Sequence, residues 1–221
     1  DPAKHTDYGA IIESMVYRTN SGMYLEMVAE HELQGEYTTV QKPYLKKIVD
    51  KYRAMKIPLM VIIDATVVGD VVAEIMSDLI THKVWYNNNE GKIHVDRNGR
   101  WNVPKPELVR ILQVLIEMEK VGMHMSLRRL QEQLRNFTSI NTNSGKTQYQ
   151  AKSWHDDLVN AAMLASFGFG YLMHWLSQYS EEVAKEEFLS RIGENGLLKP
   201  TIGARQESKY SSPPRRYFSS V

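Results

Sequence analysis

The sequence has no cysteine, so it can form neither a disulfide framework nor a thiolate metal centre, and any metal site must use oxygen or imidazole donors. It has almost no net charge: 27 Lys and Arg against 26 Asp and Glu leave +1, which excludes a global attraction to a polyanion and requires any nucleic-acid affinity to be local. No apolar run approaches the ~20 residues of a membrane-spanning helix, and no basic segment followed by an apolar one opens the chain. There is no G-x-x-x-x-G-K-[ST] phosphate loop and no internal repeat of ~20–50 residues. These absences describe a soluble cytosolic protein without an NTP-binding loop. The start, Asp1-Pro2 without an initiator methionine, reads as an excerpt of a longer chain.

What is present is a chain of 221 residues, 43% of them hydrophobic, enough for one sizeable core. YGAIIESMVY (8–17) and MYLEMVAEHEL (23–33) flank a Thr19-Asn20-Ser21-Gly22 turn. In the second run Met23, Leu25, Met27 and Ala29 alternate with Tyr24, Glu26 and Glu30, which predicts an antiparallel hairpin with one buried face. Val40, Tyr44, Leu45, Ile48, Tyr52 and Met55 form a helical stripe between a Thr38 or Thr39 cap and a Pro58 stop. LMVIID (59–64) suits a central strand covered on both faces, Gly69-Asp70 opens a helix, and KVWY (83–86) follows as a parallel strand.

Short strands at 92–95 and 100–103 flank Asn98-Gly99; Pro104 and Pro106 start a helix carrying Leu108, Ile111, Leu112 and Leu115; another helix spans about 127–134. FTSIN and TQYQA flank an Asn143-Ser144-Gly145 turn, the strongest hairpin signal in the chain. A helix then runs from SWHDD (153–157) to about Tyr179, and another covers 181–192. From Gly193 the composition turns to Gly, Pro, Ser and basic residues, which predicts a flexible basic tail over 193–221. The fold class is α/β: a mixed sheet, antiparallel strands followed by parallel ones, flanked by helices.

Acids stand where regular elements end. Asp1 precedes the hairpin, Asp64 terminates an apolar strand, and Asp156 and Asp157 begin a helix. Neighbouring parallel strands share a C-terminal edge, where such acids meet. Clustered carboxylates repel and raise one another's pKa unless a cation sits among them, and an oxygen-only set suits Mg²⁺ or Mn²⁺. Two ions ~3.5–4 Å apart clamp an in-line phosphoryl displacement. Taken singly, each residue also has an ordinary structural role: Asp156 as a helix N-cap, Asp64 as a strand-end turn residue, Asp7 and Asp70 as loop and cap residues, His155 as a packed or solvated histidine.

Together, DPAKHTDYGAII (1–12), VIIDATVVGDVVAEIM (61–76), VPKPELVRIL (103–112) and SWHDDLVNAAMLA (153–165) resemble the C-terminal nuclease domain of the large terminase subunit of tailed bacteriophages. The resemblance spans roughly residues 1–175 and rests on the ordered set of motifs. It implies a ribonuclease H-like domain over 1–192, its first strand upstream of Asp1. It also implies Asp1, Asp64 and Asp157 as catalytic residues and metal ligands, with Asp156 and Asp7 as accessory ligands. Related folds carry an acid where this chain has Asn160, a departure that puts the weight on the Asp-Asp pair. Lys4, His5, Lys105, Arg128, Arg129, Lys146 and Lys152 are the candidate phosphate contacts for DNA.

The implied activity is a two-metal-ion endonuclease using Mg²⁺ or Mn²⁺, which cuts concatemeric viral double-stranded DNA at initiation and completion of packaging. Implied partners are double-stranded DNA, the terminase ATPase domain, the small terminase subunit and the portal protein, with no membrane. The implied location is the cytoplasm of the infected bacterium and, transiently, the procapsid portal. Two alternatives share these residues: a resolvase or transposase-type nuclease of the same fold, and a non-catalytic capsid-docking module with a structural cation site.

Overall fold

The computed structural model describes residues 8–20, 22–66, 69–87, 91–141, 147–151 and 155–172. The expected helix at 181–192 and the basic tail at 193–221 lie outside them, as does the upper boundary of the expected domain.

The hairpin forms as the alternation requires: β1 (Tyr8–Thr19) pairs antiparallel with β2 (Gly22–Gln34). Its alternation is interrupted once. Glu13 lies opposite Ala29 and Ser14 opposite Met27, so Val28 is unpaired, a β-bulge. Before the bulge Leu25 and Met27 enter the main core; beyond it Glu30 and Glu32 reach helix α4 (Arg128–Asn136), while His31 faces the other way and meets α1 (Lys42–Ala54). A single buried face along the whole of β2 is therefore not what the chain adopts.

Helix α1 covers one face of this hairpin. Regular α-helix starts at Lys42, with Pro43 in its first turn, after one wide turn over Tyr37–Gln41. The expected threonine cap is not used. Gln41, at the N-cap, makes no side-chain cap bond, and the Thr39 hydroxyl donates to Glu36. The helix is fastened to β1 through Glu13, only 8% exposed, whose carboxylate accepts from Tyr52 Oη (2.5 Å), from Lys51 Nζ (3.0 Å) and from the His31 ring (Nε2, 2.7 Å). His31 Nδ1 lies 2.9 Å from Tyr44 Oη. Helix α1 and helix α3 (Lys105–Glu117) end alike, with a non-glycine residue in the left-handed region: Lys56 at φ 56° and Glu119 at φ 54°. Each closes a two-bond C-terminal cap, Ile57 N–H to Tyr52 O and Lys56 N–H to Arg53 O in one, Lys120 N–H to Leu115 O and Glu119 N–H to Ile116 O in the other.

The parallel unit is β3 (Ile62–Asp64), α2 (Gly69–Ile75) and β4 (His82–Asn87). It continues through β5 (His94–Val95) into β6 (Trp101–Pro104), giving a four-stranded sheet in the order β3-β4-β6-β5. Strands β3, β4 and β6 run parallel and β5 antiparallel. Among the described residues β3 is an outer strand of this sheet, not the central strand its apolar run suggested. Helix α3 (Lys105–Glu117) leaves the end of β6 directly. β7 (Val121–Met123), three residues with a glycine in the middle and no sequence signal of its own, pairs parallel with β2. β8 (Phe137–Asn141) and β9 (Thr147–Ala151) make the expected hairpin.

Helix α5 (Asp157–Phe167) is the pillar. Leu158, Val159, Ala162, Met163 and Phe167 are fully buried, packed with Leu25 and Met27 of β2, Val84 of β4, Val103 of β6, and Leu108 and Leu112 of α3. A helix apolar around most of its circumference is stable only when surrounded. Phe167 meets Trp101 edge-on at 5.8 Å. At its C-terminal end Gly168 lets the helix press on β3, because a Cβ there would sit 2.5 Å from Ile62 Cδ1. The packing fixes the start of α5 against the ends of the parallel strands.

Candidate metal and nuclease site

The ends of β3, β4 and β6 and the starts of α3 and α5 lie together, the edge at which parallel sheets carry their sites. Asp64 is the last residue of β3. One of its carboxylate oxygens accepts the Thr66 N–H (2.8 Å), and the Thr66 hydroxyl spans to β4, accepting from Tyr86 N (3.2 Å) and donating to Tyr86 O (3.3 Å). The aspartate is thus held to the neighbouring strand by a turn of its own making.

Asp156 occupies the N-cap position of α5, yet its side chain makes no capping bond. Its Oδ1 accepts instead from Asn160 Nδ2 (3.0 Å), and its Oδ2 lies 3.5 Å from Lys105 Nζ, at the first residue of α3. The ordinary role of an aspartate at this position is therefore not the one its carboxylate performs. Asp157, next along, lies 3.5 Å from His155 Nδ1. Leu158 N–H, an end group of the helix, is taken up by Gln133 Oε1 (3.0 Å) from α4.

Tyr86 is hydrogen-bonded to Asp64 and feels the charge of the other acids, and no local sequence pattern marks it. Burial raises its hydroxyl's pKa, the charge of Asp64 and the hydrogen bond that Asp64 accepts raise it further, and the charges of Asp156 and Asp157 add to the effect. The phenol is held far above its usual range and stays a donor. Three of the acids singled out from sequence thus act on one hydroxyl. Asp157 is itself pushed above the usual carboxylate range, first by burial and then by the charge of Asp156, with Glu32 adding and His155 opposing.

Glu32 is a further acid that the sequence pattern did not reveal. It reaches this neighbourhood because the bulge at Val28 turns it inward, and it is held by Gln133 Nε2 (3.0 Å) and by Arg129 Nη1 (2.5 Å). Glu30, one pleat earlier, accepts the N–H groups of Arg129 (3.1 Å) and Leu130 (2.8 Å) and caps α4, whose own N-cap residue, Leu127, offers no side-chain bond.

Of the candidate phosphate contacts, Arg128 and Arg129 are exposed at the start of α4, Arg129 already paired with Glu32. Lys105 is turned inward, its side chain 12% exposed. Asp1, Lys4, His5, Asp7, Lys146 and Lys152 lie outside the described residues.

Among the described residues no three acidic or histidine side chains are close enough to hold one ion. Their chemistry nonetheless fits a hard cation: the donors are carboxylate oxygens, and the Asn160 carboxamide oxygen beside Asp156 is buried with no partner.

No family model and no curated protein matches the chain. Among solved structures the chain is similar to the large terminase nuclease from thermophilic phage G20c, with 21% identity, a TM-score of 0.46, and coverage of 79% of this chain and 84% of that one. The same nuclease with bound magnesium is similar at 20% identity and a TM-score of 0.46, covering 73% and 82% of the two chains. The large terminase nuclease domain of Thermus phage P74-26 is similar at 18% identity and a TM-score of 0.35, covering 73% and 80%.

Proposed function

We propose that this chain is the ribonuclease H-like nuclease domain of a large terminase subunit, a metal-dependent endonuclease that cuts concatemeric viral double-stranded DNA at initiation and completion of packaging. The observation that carries the proposal is the placement of Asp64, at the end of β3, and of Asp156 and Asp157, at the start of α5, at one edge of the parallel sheet, with Asp64 bonded to the Tyr86 hydroxyl and Asp156 3.5 Å from Lys105 Nζ. These acids are far apart in sequence and stand in the motif order of that family.

In this reading Asp64 and Asp157 hold the metal together with Asp1, and Asp156 and Asp7 assist. Mg²⁺ or Mn²⁺ held there, as one ion or a pair, would supply the Lewis acidity that phosphodiester hydrolysis needs. The protein's part is positioning. Thr66 fixes Asp64, Gln133 fixes the first turn of α5, and the protonated Tyr86 keeps one Asp64 oxygen in a constant direction. Arg128, Lys4, His5, Lys146 and Lys152 take DNA phosphates. The ATPase domain, small subunit and portal are the partners, and the host cytoplasm the location.

Plasmid nicking by the wild-type chain and by Asp64→Asn, each with Mn²⁺, Mg²⁺ and Ca²⁺, tests the proposal. The expected result is nicking with Mn²⁺ above Mg²⁺, none with Ca²⁺, and none from Asp64→Asn with any ion, since Ca²⁺ prefers more ligands and looser geometry. Asp64→Asn should keep or raise its metal-free melting temperature, because one of several repelling charges is gone. A nicking rate in Asp64→Asn within about threefold of wild type, well short of the loss expected for a metal ligand, refutes the assignment.

A further inference from the structure

Lys105 stands first in α3, immediately after the strand whose Pro104 pairs with Asn87 at the end of β4. A lysine that merely waits for a phosphate should reach into solvent on its flexible stem. This one does not. Its side chain is 12% exposed, and its ammonium lies 3.5 Å from Asp156 Oδ2, 5.8 Å from the ring centre of Tyr86 and 5.9 Å from that of Phe137. The two rings come from different strands, β4 and β8. The charge is therefore placed by a carboxylate and two aromatic faces, the surroundings that hold an ammonium in a set position.

Resting on the proposed metal-dependent reading of the acids, we infer that Lys105 is the resident counter-ion of Asp156: it offsets the negative charge of this edge without metal, occupies one Asp156 oxygen, and competes with the divalent cation. Asp156 has two oxygens, one bonded to Asn160 and one facing Lys105. To ligate a metal fully it must give up one of them. Lys105 is thus a positioning residue whose removal acts in two directions. It exposes the acids to their mutual repulsion when no metal is present, and it deepens the negative potential that a divalent ion meets. A unit charge removed from within ~5 Å of a divalent ion at a solvent-accessible site alters their interaction enough to change affinity by roughly tenfold.

The test is titration calorimetry of Mn²⁺ into the full chain without DNA, alongside thermal melting with and without Mn²⁺. Lys105→Met and Lys105→Gln are both expected to bind Mn²⁺ about tenfold tighter than wild type, to melt lower without metal, and to gain more from Mn²⁺. Lys105→Arg, which keeps the charge, should stay within about twofold, as should Lys92→Met, which removes an exposed lysine elsewhere. If wild type binds Mn²⁺ and the neutral Lys105 variants bind it equally or more weakly, the inference is overturned while the metal-site reading stands. If wild type binds no Mn²⁺, or if Asp64→Asn binds it as well as wild type does, the metal-site reading fails and takes this inference with it.

Discussion

Replacing Glu13 by glutamine keeps the shape of the side chain and removes its charge, which isolates what the fastening of α1 to the hairpin contributes. The carboxylate is 8% exposed and takes three donors. Hydrogen bonds to a buried charged group are worth ~1.5–3 kcal/mol each, so the Tyr52 and His31 contacts together put ~3 kcal/mol at risk. Lys51 is half exposed and adds a few tenths at most. The amide still accepts one bond, and the desolvation cost of the charge is recovered, which brings the expected loss to ~2 kcal/mol. For a chain of this size that is roughly a 4–8 °C fall in melting temperature.

The pH dependence gives the prediction its sharper edge. Burial pushes the Glu13 pKa up, but the bonds from Tyr52, Lys51 and His31 outweigh it and hold the group below the usual carboxylate range. A depressed folded value means stability that is present above the unfolded pKa of ~4.3 and is lost as pH falls through the folded one. Melting curves of wild type and Glu13→Gln should therefore stay a constant distance apart near neutrality and converge as the pH drops below about 4.5. A gap that holds or widens in acid, or a fall under about 2 °C at neutral pH, would refute the reasoning.

Two further outcomes can be measured independently. Lys56→Gly and Glu119→Gly should each stabilise by ~1 kcal/mol in chemical denaturation, since both residues sit in the left-handed region at helix ends where glycine carries no Cβ penalty; a loss of stability would show that their side chains matter more than their backbone. Gln133→Leu removes the acceptor of the Leu158 N–H and a donor to Glu32; nicking should fall several-fold at a stability cost of ~1–2 kcal/mol, and unchanged nicking would mean that the first turn of α5 needs no outside support.

The parts legible in the sequence are those with local causes. Alternation and an Asn-Gly or Ser-Gly turn are enough for the hairpins, and an apolar run ending in Asp64 is enough for β3, because these signals act within a few residues. That Asp64 closes a strand and that Asp156 and Asp157 open a helix was legible for the same reason, since the apolar runs beside them mark those ends. What was not legible is mostly partnership across distance. The cap of α4 is Glu30, 99 residues before the Arg129 N–H it accepts, while the threonines nearest the expected start of α1 do no capping. Tyr86 looks like an ordinary aromatic strand residue until Asp64 is beside it. Lys105 read as one more basic residue, since sequence does not say that Asp156, Tyr86 and Phe137 enclose it.

The unpaired Val28 makes β2 behave like a message with a change of reading frame. Odd-numbered residues before it and even-numbered residues after it share one side of the sheet, so the strand serves the hydrophobic core with one half and the acid neighbourhood with the other. Length and parity are coupled there. Drawing Val28 into regular pairing would leave every residue chemically unchanged, yet it would shift the register by one and send Glu30 and Glu32 to the side of α1 and His31 to the side of α4. The hairpin would then lose the cap of α4 and the Glu13–His31 contact in a single step. A strand of this kind tolerates substitution at most positions far better than it tolerates a slip of register.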